Sequence, residues 1–415
     1  MRRSQLFIKT RHNAPSDETA LNAQLLIRAG YVHKEMAGVY SYLPLGKTVL
    51  DNIVQIVREE MNAIGGQELL LSTLQDKALW ETSERWDSEV VDAWFKTVLQ
   101  GGGELGLAWT HEEPMTRMMS HFISSYKDLP VYTYQFQSKL RNELRAKSGL
   151  MRSREFLMKD LYSFSRDQAE HDAFYEKITE AYMKVYSRLG IGDITYKTFA
   201  SGGAFSKFSH EFQTLSHVGE DTIYLHKAKK LAINQEVLTD EVLVDLGIAR
   251  EELIEEKAVE VGNIFTLGSR FSEPLNLYFT DQDGNNKPVI MGCYGIGPSR
   301  LMGLLAEHFA DERGLVWPEA VTPFVVYLAR LGQEESVVKA ADTLYQQLTE
   351  QNISVLYDDR DERAGSMLND ADLLGTPRRI VVSAKTLEQN GFEVKNRRSN
   401  ETNIVNKEEL IKSLA

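Results

Sequence analysis

Between residues 141 and 156 the chain places Arg141, Glu143, Arg152 and Phe156. Arginine carries a planar fork of donors that can pair with two oxygens of a phosphate or carboxylate at once. A carboxylate can accept from the amino group of a heterocycle, and a phenylalanine ring is a flat surface to stack on. These types suit a reaction in which a carboxylate oxygen attacks the α-phosphorus of ATP and pyrophosphate leaves. Negative charge then builds on phosphate oxygens and must meet fixed cations and donors. Arg141 and Glu143 are two apart, and Arg152 and Phe156 four apart, spacings that put each pair on one face of a strand. The same pattern also fits a solvated hairpin with one core phenylalanine. A second candidate is GCYGIGPSR at 292–300. Gly295 and Gly297 allow backbone to approach a ligand closely, and Arg300 opens the following helix near its positive end. No Gly-Lys-Ser/Thr follows, so this is not a Walker A loop, and the third glycine of a dinucleotide fingerprint is missing.

The elements that must carry these residues can be read from periodicity. Residues 131–138 (VYTYQFQS) and 155–164 alternate with high β propensity, which predicts an antiparallel hairpin around a long, basic loop. Leu50, Ile53, Val54, Val57 and Met61 predict a helix over 47–63, stopped by Gly65 and Gly66, with a buried strand at 68–71. A helix at about 168–189 presents Phe174, Ile178, Tyr182, Val185 and Leu189 on one face. Residues 237–260 are acidic and helix-prone and read as a solvent-facing excursion. Residues 276–282 and 288–294 read as strands joined by Asp283-Gly284-Asn285. Pro318 and Pro323 mark a linker. Beyond it, strands at 324–329, 353–357 and 379–384 alternate with helices at 335–350 and 366–374, the order of a compact α/β domain. The fold expected is an α+β domain, an antiparallel sheet flanked by helices over 1–317, followed by a smaller α/β domain over 322–415.

A chain of 415 residues with 42 % hydrophobic and 26 % charged residues has apolar mass for more than one core. Its single cysteine, Cys293, can form no internal disulfide and no multi-cysteine zinc site, and it reads as a small buried residue. No stretch approaches the roughly 18 apolar residues of a membrane helix, and the start MRRSQLFIKTRH has no apolar core of a signal peptide. A cytoplasmic enzyme without a membrane partner is expected. The net charge of −13 argues against nucleic-acid binding as a whole-chain property. Two basic spots run against it: Lys139, Arg141, Arg145, Lys147, Arg152 and Arg154, with Lys159 just beyond, and Arg378, Arg379, Lys385, Lys395, Arg397 and Arg398. Either could equally be a solvated face.

Taken together, these residues resemble the class II aminoacyl-tRNA synthetases. Arg141-Asn-Glu143, a loop and Arg152-x-x-x-Phe156 are similar to motif 2, and Gly295-Ile-Gly297-Pro-Ser-Arg300 to motif 3. The helix and strand at 47–71 stand in the place of motif 1, the dimer interface. AGVYSYLPLG at 37–46, THEEP at 110–114, RNELRAKSGLMRSREFLMKDLYSF at 141–164, SHEF at 209–212, EVGNIF at 260–265, PVIMGCYGIGPSR at 288–300 and DDRDERAG at 358–365 resemble the bacterial-type prolyl-tRNA synthetases almost end to end. The resemblance implies ATP-dependent ligation of L-proline to tRNA(Pro) through prolyl-adenylate, by a homodimer using ATP with Mg2+ and no zinc. It implies that Thr110 and Glu112 recognise the prolyl imino group. Arg141 would bridge the substrate carboxylate and the α-phosphate, Glu143 would read the adenine, Phe156 would stack on it, and Arg152 and Arg300 would hold the outer phosphates. His210 and Gly295 fall to the proline side, and Glu211, Gln213 and Gly297 to the ATP side, with no residue assigned as a resident metal ligand. The C-terminal domain would bind the anticodon, with Asp359, Arg360, Glu362, Arg363, Lys395, Arg397 and Arg398 as candidate contacts.

Three departures stand out. Only about twenty residues, 237–256, fill the place where relatives commonly carry an editing domain, which predicts no proofreading in cis. Ser72 stands where motif 1 usually ends in proline, and Glu84 where relatives often have glycine before Arg85. Two other readings remain: a synthetase-like regulator, and a class II synthetase for threonine, serine or glycine.

Overall fold

The computed structural model describes residues 1–144, 146, 148–201 and 208–414. Arg145 and Lys147 of the first basic spot lie outside the described residues. The labels used below are α1 (Leu21–Arg28), α2 (Pro44–Ala63), α3 (Glu112–Met119), α4 (Gln168–Arg188), α5 (Pro298–His308), α6 (Glu335–Glu350) and α7 (Ala364–Leu374). Among the described residues the main sheet has nine strands: β1 (Gln67–Glu68), β2 (Val131–Leu140), β3 (Glu155–Ser165), β4 (Thr195–Ser201), β5 (Phe208–Leu215), β6 (Asp221–His226), β7 (Leu231–Asn234), β8 (Ile254–Gly268) and β9 (Ile290–Ile296). Their order is β5-β4-β7-β6-β8-β9-β3-β2-β1, and β5 also pairs with β8, which closes that end of the sheet on itself. Among the described residues, only β1–β2 and β4–β7 of this sheet run parallel.

One face of the sheet is covered by helices. α4 starts at Asp167, whose side chain accepts from the Glu170 N–H, and buries Phe174, Ile178, Tyr182, Val185 and Tyr186. α2 and α5 pack beside it in the same core, with Val49, Ile53 and Val57 from one and Leu301, Leu304 and Leu305 from the other. Each such side chain taken out of water contributes roughly 1.5–3 kcal/mol, and this anchors the strands; part of their other face packs a second core, in which Tyr162, Phe164, Met291 and Cys293 lie with Trp80 and Met115. Among the described residues, no helix is long and apolar enough to cross a membrane.

The second sheet has the order β11-β10-β12-β13-β14, with β10 (Val326–Leu331), β11 (Val355–Asp358), β12 (Arg378–Ser383), β13 (Phe392–Asn396) and β14 (Thr402–Val405). β10 pairs in parallel with both neighbours, as βαβ crossovers require, and α6 covers one face. This sheet is not detached from the first. Leu315, Trp317 and Val321 share a core with Tyr327, Leu356 and Leu374. Met1 lies alongside β11, its carbonyl accepting from Tyr357 N–H at 2.9 Å, and Ser4 and Arg2 both bond to Asp359.

Several elements differ from expectation for identifiable reasons. The strand at 68–71 pairs only over Gln67–Glu68. Residues 254–260, expected as helix, are the start of β8, because tertiary pairing with β5 and β6 overrides helix propensity. The short helix Asp240–Leu246 is what remains of that excursion. The turn at 283–285 joins Tyr278–Thr280 to Asn286–Pro288, a separate hairpin, while β9 pairs with β3 and β8. Lys139 and Lys159, expected in an exposed basic spot, are wholly buried on opposite faces of the sheet. Lys139 meets Asp160 at 2.8 Å, whereas Lys159 donates to Tyr182 Oη and the Tyr294 carbonyl.

Candidate active site

Strand pairing sets one row of residues across the sheet: Gln135, Asp160, Gly295, Asn263 and Glu211 occupy successive registers of β2, β3, β9, β8 and β5. Alternation puts their side chains on the face away from α4. Phe156 and Met158 of β3 share that face and, with Arg141, Glu143, Arg152, Glu260, Gly295, Gly297 and Arg300, line a cavity of about 350 Å³. Gly295 forms its floor, where an added Cβ would stand 2.7 Å from Asn263 Oδ1.

The predicted pairs Arg141/Glu143 and Arg152/Phe156 do converge on this cavity, but not as same-face strand positions. The β2–β3 ladder ends at Leu140 and Glu155. Beyond it one cross-hairpin bond remains, from Arg141 N–H to Arg154 O at 2.8 Å, while Arg141 bridges to Trp94, Asn142 N–H donates to Ala93 O and Arg154 N–H to Gly38 O, so neighbouring segments share the backbone groups. Arg152 then follows a short turn, Gly149–Met151. Arg141 lies over Phe156 and Trp109, 5.3 and 5.4 Å from the ring centroids, and its Nε donates to the Trp109 carbonyl at 3.4 Å. Burial pushes its pKa below the ordinary arginine value, and the nearby Arg300 charge adds to that. Arg152 is half-exposed and spans Glu143 and Glu220, each at 3.0 Å. Arg300 donates to Glu260 Oε2 at 3.0 Å and to the Met151 carbonyl at 2.9 Å. Three guanidinium groups therefore face one cavity, and two of them, Arg152 and Arg300, are held by carboxylates that an incoming polyphosphate can replace as partners.

Thr110 and Glu112 do not border that cavity. Both are more deeply buried; Trp109, the residue before Thr110, meets the Arg141 guanidinium, and the Glu112 charge acts on Arg141. Glu112 opens α3 and meets Cys293 Sγ at 3.1 Å, Tyr162 Oη at 3.4 Å and Arg85 at 3.5 Å. Cys293 is buried as expected, with its thiol donating to Glu112, and burial pushes that thiol well above its ordinary value. A buried network backs Glu112: Tyr162 donates to Asp160, Asp160 pairs with Lys139, and Lys139 sits 2.7 Å from His111 Nδ1. Burial and the Lys139 charge push His111 down to about 4. His111 Nε2 lies 3.2 Å from the Ser72 carbonyl, so the segment where proline was expected contributes a backbone oxygen here. Reasoning from motifs missed Arg85, Glu113, Trp109 and Asp160. For Asp160 the available signal was charge inside apolar β alternation, in MKDLYSF at 158–164, as it was for its partner Lys139 in SKL at 138–140.

Glu211 and Gln213 belong to the cavity side, whereas His210 does not. His210 pairs in register with Ile264, in the row of Tyr294, and its Nδ1 lies 2.7 Å from Tyr175 Oη of α4. Its side chain is thus on the helix-covered face, and the expectation that it lines the proline site is corrected. Glu211 is pushed up to about 8 by burial and by the charge of Glu260, and Asp221 is raised by burial. Gln213 donates to both Glu211 and Asp221, at 3.0 and 2.8 Å, and among the described residues its buried Oε1 has no hydrogen-bond partner. Crowded carboxylates and a spare amide oxygen are hard donors of the kind a phosphate-bound Mg2+ accepts. Among the described residues, no group of three or more His, Cys, Asp or Glu has the geometry to hold a metal by itself.

Most of the candidate anticodon contacts are already engaged within the chain. Asp359 binds Ser4 and Arg2, and Arg360 pairs with Asp358 and Asp370 at 2.7 and 2.8 Å. Lys395 faces Asp372, and Arg397 makes a two-pronged contact with Asp311, both at 2.6 Å. Glu362, Arg363 and Arg398 are exposed.

Comparison with known proteins follows the same division of the chain. Residues 94–309 match the tRNA synthetase class II core domain (G, H, P, S and T), and residues 324–415 match the anticodon binding domain. The proline–tRNA ligase of Maricaulis maris (strain MCS10) is 37 % identical over 440 residues, covering 100 % of this chain and 98 % of the relative. That of Ehrlichia chaffeensis (strain ATCC CRL-10679 / Arkansas) is 36 % identical over 428 residues, with 100 % of both chains covered. The crystal structure of prolyl-tRNA synthetase from Cryptosporidium parvum, complexed with halofuginone and AMPPNP, superimposes with a TM-score of 0.77 at 18 % identity. It covers 95 % of this chain and 76 % of its own, a likeness of fold.

Proposed function

The chain belongs to the proline–tRNA ligase family of class II synthetases, and from that premise we propose how its residues divide the work of joining proline to tRNA. ATP lies in the cavity of about 350 Å³, its adenine on Phe156 and read by Glu143, and its outer phosphates on Arg152 and Arg300. Proline occupies the deeper site, its imino nitrogen donating to Glu112 and Thr110. Arg141 spans the two, holding the proline carboxylate against the α-phosphate. Attack by a carboxylate oxygen breaks the bond to the β-phosphate oxygen, and pyrophosphate leaves with that electron pair. The terminal ribose hydroxyl of tRNA then attacks the activated carbonyl and releases AMP. The side chains act by holding reactants in line and by meeting charge, and none forms a covalent intermediate.

Class II synthetases generally use ATP with Mg2+. Magnesium would neutralise phosphate charge, bound mainly through the phosphates and with Glu211 and Glu260 as its nearest carboxylates. Gln213 orients Glu211 and Asp221. The anticodon would meet the exposed Glu362, Arg363 and Arg398. Leu70 and Leu74, 71 % and 55 % exposed beside the edge strand β1, support pairing with a second copy through this region.

What carries the reading is the convergence of Arg141, Arg152 and Arg300 on one cavity, with the buried Glu112 behind Arg141. The test is proline-dependent exchange of pyrophosphate into ATP, run without tRNA across a panel of amino acids. Exchange with proline and not with threonine, serine or glycine is expected. Exchange with none would favour a non-catalytic synthetase-like protein. With only the short helix Asp240–Leu246 in place of an editing domain, purified protein should not deacylate alanyl-tRNA(Pro), and rapid deacylation would refute that part.

A further inference from the structure

Asn22 of α1 has no exposed surface and lies far in sequence from the ATP residues. Its Oδ1 accepts from Leu150 N–H at 3.0 Å, and its Nδ2 donates to the Ser148 carbonyl at 3.2 Å. One amide thus holds both ends of a turn in which Ser148 and Gly149 have φ of +63° and +60°. Consecutive left-handed residues, one of them not glycine, persist only when neighbours impose them. Glu307 of α5 in turn fixes the amide: its Oε2 accepts from Asn22 Nδ2 at 2.8 Å and from Asn22 N–H at 3.3 Å. Gly303, one helical turn back on α5, lets the turn pack against the helix, since a Cβ there would stand 3.0 Å from Leu150 Cβ and 3.3 Å from Met151 Cγ. The turn leads directly into Arg152, and its Met151 carbonyl accepts from Arg300 Nε.

We propose that Asn22, set by Glu307, is a positioning residue of the ATP site: it holds the 148–151 turn on α5 and so places Arg152 and Arg300 for the phosphates. This rests on the assignment of those two arginines to ATP. Asparagine suits the task because one rigid planar group supplies an acceptor and two donors. Aspartate would lose the donors and face Glu307 with a like charge.

The test is the kinetics of pyrophosphate exchange, with urea unfolding alongside. Asn22→Ala should raise KM for ATP about tenfold while KM for proline stays within about twofold. Glu307→Ala should do the same, and Glu307→Gln, which keeps an acceptor oxygen, should restore KM for ATP. An unchanged KM for ATP, or equal rises in both KM values, would overturn the proposal. If Asn22→Ala does not fold, Gly303→Ala, which adds one methyl to a helix, is read by the same criteria. Calorimetric titration of a non-hydrolysable ATP analogue without proline separates the two levels of argument. Binding by the wild type without proline exchange would defeat the amino-acid assignment alone. Equal binding by the wild type and Asn22→Ala would defeat the clamp.

Discussion

Replacing Arg397 by alanine removes a guanidinium that is only 2 % exposed and that grips both oxygens of Asp311 at 2.6 Å. The Asp311 carboxyl is held down to about 2 from an ordinary 3.8, first by the hydrogen bond from Arg397. That difference corresponds to roughly 2.4 kcal/mol, but the Asp311 side chain is 35 % exposed, and solvent screening reduces its share to about 1 kcal/mol. Arg397 Nε also donates to the Asp372 carbonyl at 3.1 Å, worth about another 1 kcal/mol. Arg397→Ala should therefore cost about 2 kcal/mol. Urea unfolding followed by Trp fluorescence measures it, with Trp317 buried in the core shared by the two domains. In a double-mutant cycle with Asp311→Ala, about 1 kcal/mol should appear as coupling. The sign with pH is fixed. A carboxyl depressed in the folded chain stabilises it above the unfolded value of 3.8, and this is lost as pH falls toward 2. The gap between wild type and variant should shrink over that window. An unchanged urea midpoint combined with a raised KM for tRNA would refute this reasoning and make Arg397 an RNA contact.

Arg152→Ala should lower kcat/KM for pyrophosphate exchange about 10²–10³-fold, as removal of a transition-state donor does; activity within a few-fold of wild type would exclude its phosphate role. Glu84 has φ of +59° just past the helix Lys77–Thr82, so Glu84→Gly should raise stability by roughly 0.5 kcal/mol in urea unfolding, and a loss would show that the Glu84 side chain holds something in place. Glu211 is raised to about 8 in the folded chain against an ordinary 4.5; its stabilisation is therefore complete below 4.5 and lost as pH rises through about 8. With Mg2+ placed beside Glu211 as proposed, the cation favours the ionised form, so binding of ATP with Mg2+ at pH 7 should release a proton, seen as a calorimetric heat that varies with buffer ionisation enthalpy. Glu211→Gln should abolish that release, and an unaltered release would assign the proton elsewhere.

Local pattern carried the frame of the fold well where one face of an element is apolar. The helix expected over 47–63 is Pro44–Ala63, and the strands expected at 131–138 and 155–164 are Val131–Leu140 and Glu155–Ser165. It failed where partners distant in sequence decide. The acidic stretch from 254 becomes a strand because β5, β6 and β9 are there to pair with it. Lys395 and Arg397 look like RNA ligands by type, but Asp372 and Asp311 fold against them. Nothing in a basic residue's own neighbourhood reports which carboxylate will reach it.

His210 and Glu211 fail differently, because the information to separate them was local. Adjacent strand residues point to opposite faces, so at most one of the two can line a site on the sheet. Phe212, an obligate core residue by type, shares its parity with His210, and it packs between Tyr182 and Tyr186 of α4. Glu211 then shares a face with Gln213, and that face carries Asp221, Glu260 and the cavity. The parity of one phenylalanine thus decides between two polar neighbours. It assigns His210 to the support of α4 through Tyr175, and Glu211 to the face that carries the cavity.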